Sequence, residues 1–370
     1  MRPLEGLLVL DFSTLLPGPL ASLMLAEAGA EVIKIERPGQ GDEMRAYAPK
    51  VDSDSVNFHL LNRGKRSLAI DLKQADAVAL LRPLIERADI LIEQFRPGVM
   101  ARFGLGADTV RAINPRIIYC SITGWGQTGP KSSVAAHDLN YMAETGLLGL
   151  TGGADGAPVL PPILAADIAG GTMPALINIL LALRQRDVTG EGATLDIAMG
   201  DSILTFAYWG LANGLFAGVW PTRGGDLVTG GSPRYNIYRT SDDRFIAAAP
   251  LEDRFWAAFC EAIGLEPEWR LPTAEPAGAT RAVAARIATH TAEQWVMRFA
   301  GRDVCCSIVV DLHEAMADPH FRARGLIDRV ESSGAILPVL PIPIAPIFRA
   351  PPEAPQRAPA LGEYRLGEVE

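Results

Sequence analysis

Two short segments carry the side chains best suited to moving a proton. The first runs from His137 to Tyr141 and reads "HDLNY", so that one of only five histidines stands beside the carboxylate of Asp138. Histidine titrates near neutral pH and can accept or donate a proton. The second is Asp167, thirty residues later in "LAADIAGGTMPA". We expect His137 and Asp167 to form an acid–base site.

Each of these residues also has a structural explanation. Asp138 could form a hydrogen bond within a turn, and Asp167 precedes a predicted helix that it could cap. Gly170 and Gly171 weaken a helix start, which favours a ligand that approaches the backbone closely. The loop "GWGQTGPKS" at 124–132 lacks the glycine before lysine of a P-loop. It could still present backbone N–H groups to an oxyanion.

The elements around these residues alternate between strand and helix. Strand-like apolar runs include "GLLVLDFS", "EVIKIERPG", "SLAIDL", "DILIEQF" and "RIIYCSIT", and helical patterns separate them. This alternation predicts an α/β fold, a Rossmann-like parallel sheet with helices on both faces. The first turn offers only Gly18 where a dinucleotide-binding fingerprint needs three glycines, so the sequence does not favour NAD.

Basic residues stand next to several of these strands. Arg37 follows "VIKIE", Arg96 follows "ILIEQF", and the run Arg63–Arg66 precedes "SLAIDLK". Ligands of open α/β sheets bind at the carboxyl ends of strands. Any single arginine could be a solvated surface charge. Their repetition predicts a ligand that carries phosphate groups.

Composition shifts along the chain indicate two domains and a tail. We expect a large ligand-binding α/β domain over 1–222, a smaller α+β domain with its linkers over 223–330, and a tail over 331–370 that returns to the large domain. The stretch "WPTRGGDLVTGGSPRYN" is rich in glycine and proline, as linkers are. "NIYRTSDDRFIAAAP" predicts a hairpin with Asp242 and Asp243 in its turn, and helices follow it.

Charge and cysteine content exclude several classes of function. The formal charge of −9 without a basic block argues against nucleic acid as a partner. The apolar run at 174–183 is too short to span a bilayer, and the N-terminus does not resemble a secretion signal. We therefore expect a cytoplasmic protein without a membrane partner. The four cysteines contain no CxxC pair, so no metal or redox site is predicted.

Together the segments resemble the class III CoA-transferase and 2-methylacyl-CoA racemase superfamily over nearly the whole chain. The resemblance is carried by "GLLVLDFSTLLPGPLASLMLAEAGAEVIKIERPG", "NRGKRSLAIDLK", "ADILIEQFRPGVMARFGLG", "ITGWGQTGP", "ADIAGGTMPALINILLALRQRDVTGEG" and "TSDDRFIAAAPLEDRFW". Residues 137–141 match the "HDxNY" pattern of the racemases, whereas many transferases have tyrosine-aspartate there. Two positions depart from the common pattern, Ala136 before the histidine and Thr172 after the glycine pair.

The resemblance implies an enzyme that epimerises the α carbon of 2-methylacyl-CoA thioesters through an enolate. It assigns His137 and Asp167 as the two bases, Glu252 as the carboxylate paired with the histidine, and Asp138 as a neighbour of Asp167. It implies no cofactor beyond the CoA moiety of the substrate. That moiety would be held by Arg37, Ile70, Asp71, Leu72, Lys73, Gln94, Phe95, Arg96, Arg102, Ala136, Leu139, Asn140 and Tyr141. Family members form interlocked homodimers, so Glu252 would reach the partner chain's site.

Two other functions remain open at this stage. A CoA-transferase would use Asp167 as a nucleophile that forms an acyl anhydride and then a CoA thioester, and it would not need His137. A non-catalytic acyl-CoA binder would keep the basic residues at the strand ends and tolerate the loss of both acid–base residues. The identity of the acyl chain is not readable from the sequence.

Overall fold

The computed structural model describes residues 2–153, 155–326, 330–332, 336–351 and 357–367. The strands are β1 Leu8–Asp11, β2 Glu31–Glu36, β3 Lys50–Val51, β4 Asp54–Ser55, β5 Arg66–Ala69, β6 Ile90–Glu93, β7 Ile118–Thr123, β8 Ala193–Ala198, β9 Asn236–Arg239, β10 Phe245–Ala248, β11 Cys306–Ile308, β12 Val330–Ser332 and β13 Ile336–Pro338. The α-helices are α1 Pro17–Glu27, α2 Val56–Asn62, α3 Ala77–Arg87, α4 Val99–Arg102, α5 Ala107–Ile113, α6 Asp138–Glu144, α7 Leu147–Leu150, α8 Met173–Thr189, α9 Met199–Ile203, α10 Tyr208–Ala217, α11 Asp253–Ile263, α12 Pro276–Ile287, α13 Ala292–Phe299, α14 Leu312–Ala317 and α15 Pro319–Ala323.

A six-stranded parallel sheet organises the first half of the chain, which confirms the predicted α/β fold. Its strand order is β5-β2-β1-β6-β7-β8, and every neighbouring pair is parallel. The central strands are buried along their whole length, as in "LVLD" and "IYCSIT". Strands covered on both faces by helices need continuous apolar runs, which is why the pattern was readable from the sequence.

The direction in which strands are added reverses between β1 and β6. From β1 the chain builds outward to β2 and β5, and it then returns to add β6, β7 and β8 on the other side. The loops after β1 and β6 therefore diverge to opposite faces of the sheet. In open α/β sheets this switch point opens a crevice at the carboxyl ends of the strands.

The chain divides into two compact units whose bounds differ from the predicted ones. The first comprises Met1–Thr145, Ile163–Thr205 and Pro319–Glu370, and the second comprises Gly146–Pro162 and Phe206–Asp318. Residues 146–162 and 206–222 were predicted within the large domain. They group with the second unit because Arg223 donates hydrogen bonds to the carbonyl oxygens of Gly149 and Gly156, and Gly224 N–H donates to Leu150 at 3.0 Å.

The second unit is an α+β structure around its own core. Its antiparallel sheet has the order β11-β10-β9, and the predicted hairpin with Asp242 and Asp243 in its turn is β9-β10. Helices α11, α12 and α13 contribute the buried side chains Trp256, Val283 and Trp295 to this core. In the first unit, Tyr364 joins the sheet core and donates its N–H to the carbonyl oxygen of Ser67 at 2.8 Å, so the segment around Tyr364 packs on this core.

Arg63 and Lys65 of the basic run are paired in the interior of the first unit, contrary to the prediction that the run marks a ligand site. Arg63 pairs with Glu27 at 2.8 Å, and both side chains are buried. Lys65 pairs with Asp11 at 3.3 Å and donates to the carbonyl oxygen of Pro19. A buried charge requires such a partner, and a sequence does not reveal which basic residues have one.

Residues Ala166–Thr189 form one helical stretch of 24 residues with a mean hydropathy of 1.5 over its most apolar window. By length and composition it could cross a membrane, so the expectation that no apolar run is long enough is wrong. Only 44 % of that window is buried, yet α8 packs on β7 and β8, and its residues Ala175, Ile179 and Ala182 are buried. It thus serves as a layer helix of the α/β unit.

Candidate active site

A cavity of about 370 Å³ opens at the carboxyl ends of β1, β6, β7 and β8, at the switch point of the sheet. Each of these strands contributes the loop or helix start that follows it. The cavity is lined by Leu15, Leu16, Pro17, Gln94, Phe95, Arg96, Pro97, Ile122, Thr123, Gly124, Trp125, Ser132, Val134, Ala135, Ala136, His137, Asn140, Tyr141, Asp167 and Met199. The two predicted bases, His137 and Asp167, therefore share one cavity.

His137 and Asp138 stand at the start of a helix, and not in the turn that was one explanation of Asp138. Asp138 is the first residue of α6, and His137 is its N-cap. The side-chain oxygen of Asn140 accepts the backbone N–H of His137 at 3.0 Å. This bond gives the His137 N–H a partner, since backbone N–H groups at a helix N-terminus have none within the helix. Asn140 thereby fixes the backbone that carries the imidazole, and the His137 side chain is exposed at the cavity.

Asp167 lies within a π-helical turn, Ala166–Thr172, that runs directly into α8. It is therefore not the N-cap that its position in the sequence suggested. Its backbone N–H donates to Asp138 Oδ1 at 3.0 Å, which links the two acidic residues across α6 and the π-turn. π-Helical turns are rare and occur frequently at functional sites, because the extra residue displaces side chains from the regular helical register.

Burial and a neighbouring carboxylate raise the pKa of Asp167 from 3.8 to about 6. Burial is the larger cause, the charge of Asp138 adds to it, and His137 opposes both. Asp138 itself is only 5 % exposed. A carboxyl with a pKa near neutrality can both take up and release a proton at physiological pH.

Gly170 and Gly171 admit neighbouring helices, which corrects the expectation that they admit a ligand. A Cβ atom on Gly170 would lie 2.5 Å from Ile203 Cγ2 and 2.6 Å from the Met199 carbonyl oxygen. A Cβ on Gly171 would lie 3.1 Å from Met199 Cγ. These glycines let α9 pack against the π-turn and so support Asp167 from behind.

The glycine-rich loop after β7 forms one wall of the cavity together with Tyr141. Gly124 leaves space for the Tyr141 ring, since a Cβ there would lie 2.3 Å from the phenolic oxygen. Tyr141 donates to the Ala136 carbonyl oxygen at 2.9 Å and meets the Trp125 ring edge-on at 5.1 Å between centroids. On the same wall, Thr123 Oγ1 and Trp125 Nε1 are buried without a hydrogen-bond partner, so hydrogen bonding is incomplete there.

The residues predicted to hold CoA are only partly brought together. Gln94, Phe95, Arg96, Ala136, Asn140 and Tyr141 line the cavity with the two bases. Leu139 is exposed on α6 between them. Arg37 instead lines a second cavity of about 610 Å³ after β2, Arg102 is exposed at the end of α4, and Asp71, Leu72 and Lys73 follow β5. Ile70 is buried in the sheet core.

Glu252 belongs to the second unit. It is exposed and immediately precedes α11, and its side chain does not cap that helix. Its predicted role opposite His137 stays a prediction. Within the described residues, no group of three His, Cys, Asp or Glu side chains is arranged to hold a metal ion.

Some cavity residues were not predicted, although a general rule could have located them. Leu15, Leu16 and Pro17 follow β1, and Met199 follows β8. Once the strands are assigned, the rule that ligands bind beyond their carboxyl ends indicates these positions. Their apolar side chains gave no chemical signal of their own.

Comparisons of the sequence and of the structure with known proteins identify the same family. A family model described as CoA-transferase family III matches residues 4–365. The chain is 36 % identical to an alpha-methylacyl-CoA racemase of Mus musculus over 98 % of this chain and 91 % of that protein. It is 33 % identical to an acetyl-CoA:oxalate CoA-transferase of Acetobacter aceti, covering 98 % and 93 %. A CAIB/BAIF family protein from Brucella suis has a similar structure, with a TM-score of 0.80 at 29 % identity, covering 98 % and 97 %.

Proposed function

This chain is a member of CoA-transferase family III, and from that premise we propose that it epimerises the α carbon of 2-methylacyl-CoA thioesters. The observation that carries the proposal is the placement of His137 and Asp167 on one cavity. Epimerisation needs a base against one face of the α carbon and an acid against the other. Two groups of different kind can exchange these roles, which lets the reaction run in both directions.

The reaction proceeds by transfer of one proton in each direction. One base takes the α hydrogen as a proton, and the electron pair of the C–H bond moves into the thioester carbonyl to give an enolate. The other group, which holds a proton, delivers it to the opposite face. A pKa of about 6 suits Asp167 to this work, since proton transfer is most efficient when the pKa lies near the working pH. Asp138 supports that value by its charge.

The walls of the cavity account for substrate binding in this proposal. Arg96 is exposed and lines the cavity with Tyr141. Burial, Asp167 and Asp138 raise the pKa of Tyr141 to about 12, and the charge of Arg96 opposes them. An exposed guanidinium is a good partner for the phosphate groups of CoA. Backbone N–H groups of the Gly124–Gly126 loop are candidates to stabilise the enolate oxygen. No cofactor besides the CoA moiety is required by this chemistry.

A CoA-transferase that moves CoA between carboxylic acids is the second candidate. It is favoured by the similarity to the oxalate transferase of A. aceti and to a succinate–glutarate CoA-transferase of Agrobacterium fabrum, each at 33 % identity. Asp167 would then attack the thioester as a nucleophile. His137 on the same cavity favours the epimerase, because a transferase has no step that needs an imidazole opposite the aspartate.

Incubation with 2-methylacyl-CoA in deuterated water separates the candidates. We expect deuterium at the α carbon without any acceptor acid, and loss of interconversion of the two epimers in His137→Gln and Asp167→Asn. Transfer of CoA to an added acid with no α-deuteration would identify a transferase and refute the epimerase. Bound CoA without either reaction would leave only a binding protein.

We also propose that two chains form an interlocked homodimer. Exposed apolar side chains support this: Ile177, Leu181 and Val188 on α8, and Leu215 and Phe216 on α10, the last 97 % exposed. Apolar surface of this extent is characteristic of protein interfaces. In such a dimer Glu252 would act in the partner's site. Co-expressed His137→Gln and Glu252→Gln chains should then regain activity in mixed dimers, and absence of regain would refute the shared site.

A further inference from the structure

Glu93, Ser121 and Asp196 lie side by side across three adjacent strands near their carboxyl ends. The register of β6 and β7 pairs Glu93 with Ser121, and that of β7 and β8 pairs Ser121 with Asp196. Directly paired residues of neighbouring strands project to the same face of a sheet. The three side chains therefore form one row beneath the loops that wall the cavity.

Both carboxylates of this row hold a backbone N–H of the following loops. Glu93 Oε2 accepts the Phe95 N–H at 2.8 Å, and Phe95 lines the cavity. The carboxylate of Asp196 accepts the Gln127 N–H at 2.9 and 3.1 Å, two residues beyond the wall residue Trp125. Two walls of the cavity are thus each anchored to the row by one carboxylate.

The wall after β6 has a second anchor. The side-chain oxygen of Gln94 accepts the Gly18 N–H at 3.0 Å, which ties this wall to the first turn of α1. Leu15, Leu16 and Pro17, which precede Gly18, line the cavity as well. A displacement of the Gln94–Pro97 wall would therefore be transmitted to the opposite side of the crevice.

Burying a carboxyl group at position 93 destabilises the fold unless hydrogen bonds compensate for the lost hydration. Glu93 is only 4 % exposed, and burial raises its pKa from 4.5 to about 7, although Ser121 and the Phe95 N–H favour its charged form. The titratable groups that face it are Asp196 on β8 and Tyr119 and Cys120 on β7. An apolar side chain would fill the same space without this desolvation cost.

We propose that Glu93 is a positioning residue that fixes the Gln94–Pro97 wall through the Phe95 N–H and thereby sets the affinity of the cavity for acyl-CoA. The identity of the ligand rests on the proposed function. Glu93 does not line the cavity, so its effect falls on KM and on the Kd for CoA, and kcat changes little.

Four variants test this role. Glu93→Leu removes the acceptor, Glu93→Asp withdraws it by one methylene, and Glu93→Gln keeps an oxygen that can accept the Phe95 N–H. Ile90→Ala is the matched control, because Ile90 is buried in the same strand at its far end from the cavity. For each we would measure the Kd for free CoA by calorimetry, KM and kcat for α-deuteration, and the melting temperature.

We expect Glu93→Leu and Glu93→Asp to weaken CoA binding and raise KM roughly fivefold to tenfold, the worth of one hydrogen bond, with Glu93→Gln restoring both. Ile90→Ala should lower the melting temperature alone. Unchanged Kd in Glu93→Asp and Glu93→Leu, or equal loss in Ile90→Ala, would overturn the proposal. If the wild-type chain binds CoA but exchanges no α proton, the epimerase fails while the Kd series still decides the role of Glu93.

Discussion

Replacing Asp167 by asparagine should stabilise the protein at alkaline pH while removing its activity. The carboxyl of Asp167 is half-buried, faces Asp138, and has a pKa raised from 3.8 to about 6. An asparagine keeps the backbone N–H that donates to Asp138 Oδ1 at 3.0 Å. The substitution therefore removes a carboxylate that burial and Asp138 destabilise, and it leaves the local hydrogen bond in place.

The magnitude follows from the difference between the folded and the unfolded pKa. Because the folded pKa is raised, the stabilising contribution of this group is complete below about pH 3.8 and is lost as the pH rises through about 6. A shift of about two units corresponds to about 3 kcal/mol at most. Partial exposure screens the charge, so we expect a gain in the free energy of unfolding of about 1–2 kcal/mol near pH 8.

Urea unfolding of the wild type and Asp167→Asn at several pH values between about 4 and 8 measures this effect. The gap in the free energy of unfolding should widen in favour of the variant as the pH rises through about 6, and it should stay level above that. Asp187→Asn, at an exposed position on α8, is the control and should show no such widening. A gap that stays constant, or that narrows with rising pH, would refute the account of a destabilised carboxylate.

Three further predictions concern the same site. The rate of α-deuteration should rise as the pH rises through about 6, because Asp167 must be ionised to act as a base; a flat profile over that range contradicts this. Asp138→Asn keeps the oxygen that accepts the Asp167 N–H but removes the charge, so the acid limb of that profile should move to lower pH, and an unmoved limb would exclude the charge effect. Gly170→Ala places a methyl group 2.5 Å from Ile203 and should lower the free energy of unfolding by about 1–3 kcal/mol, as overpacking does, with an unchanged urea midpoint arguing against tight packing of α9 there.

The fold was readable where burial imposed a simple pattern on the sequence. Strands β1, β6 and β7 are covered on both faces, so their continuous apolar runs identified them and the parallel sheet followed. The edge at which the site lies followed from the same assignment, because ligand crevices form beyond the carboxyl ends of strands. His137 and Asp167 were selected by their chemistry and lie on one cavity.

What could not be predicted depends on contacts between residues that are distant in sequence. Gly170 was interpreted as a position that a ligand approaches. The residue that actually approaches it, Met199, lies 29 residues further along the chain and could not be recognised from the local sequence. Lys65 carries a positive charge that could bind phosphate, yet it is paired with Asp11 inside the first unit. The π-helical turn that carries Asp167 has no pattern that distinguishes it from the start of an ordinary helix.

The predicted domain bounds differ from those of the two compact units for a related reason. The grouping of 146–162 with the second unit depends on hydrogen bonds from Arg223 and Gly224 to a stretch about seventy residues earlier. A glycine-rich linker is recognisable by composition, but the side of the boundary to which its flanks belong is decided by such long-range contacts.

The most direct test of the central claim is to follow each separate epimer of a 2-methylacyl-CoA with the two single-base variants in deuterated water. If His137 and Asp167 serve opposite faces of the α carbon, Asp167→Asn should exchange the α proton of one epimer only and His137→Gln that of the other only, and neither should interconvert them. Exchange of the same epimer by both variants, or continued epimerisation by either, would contradict the two-base arrangement.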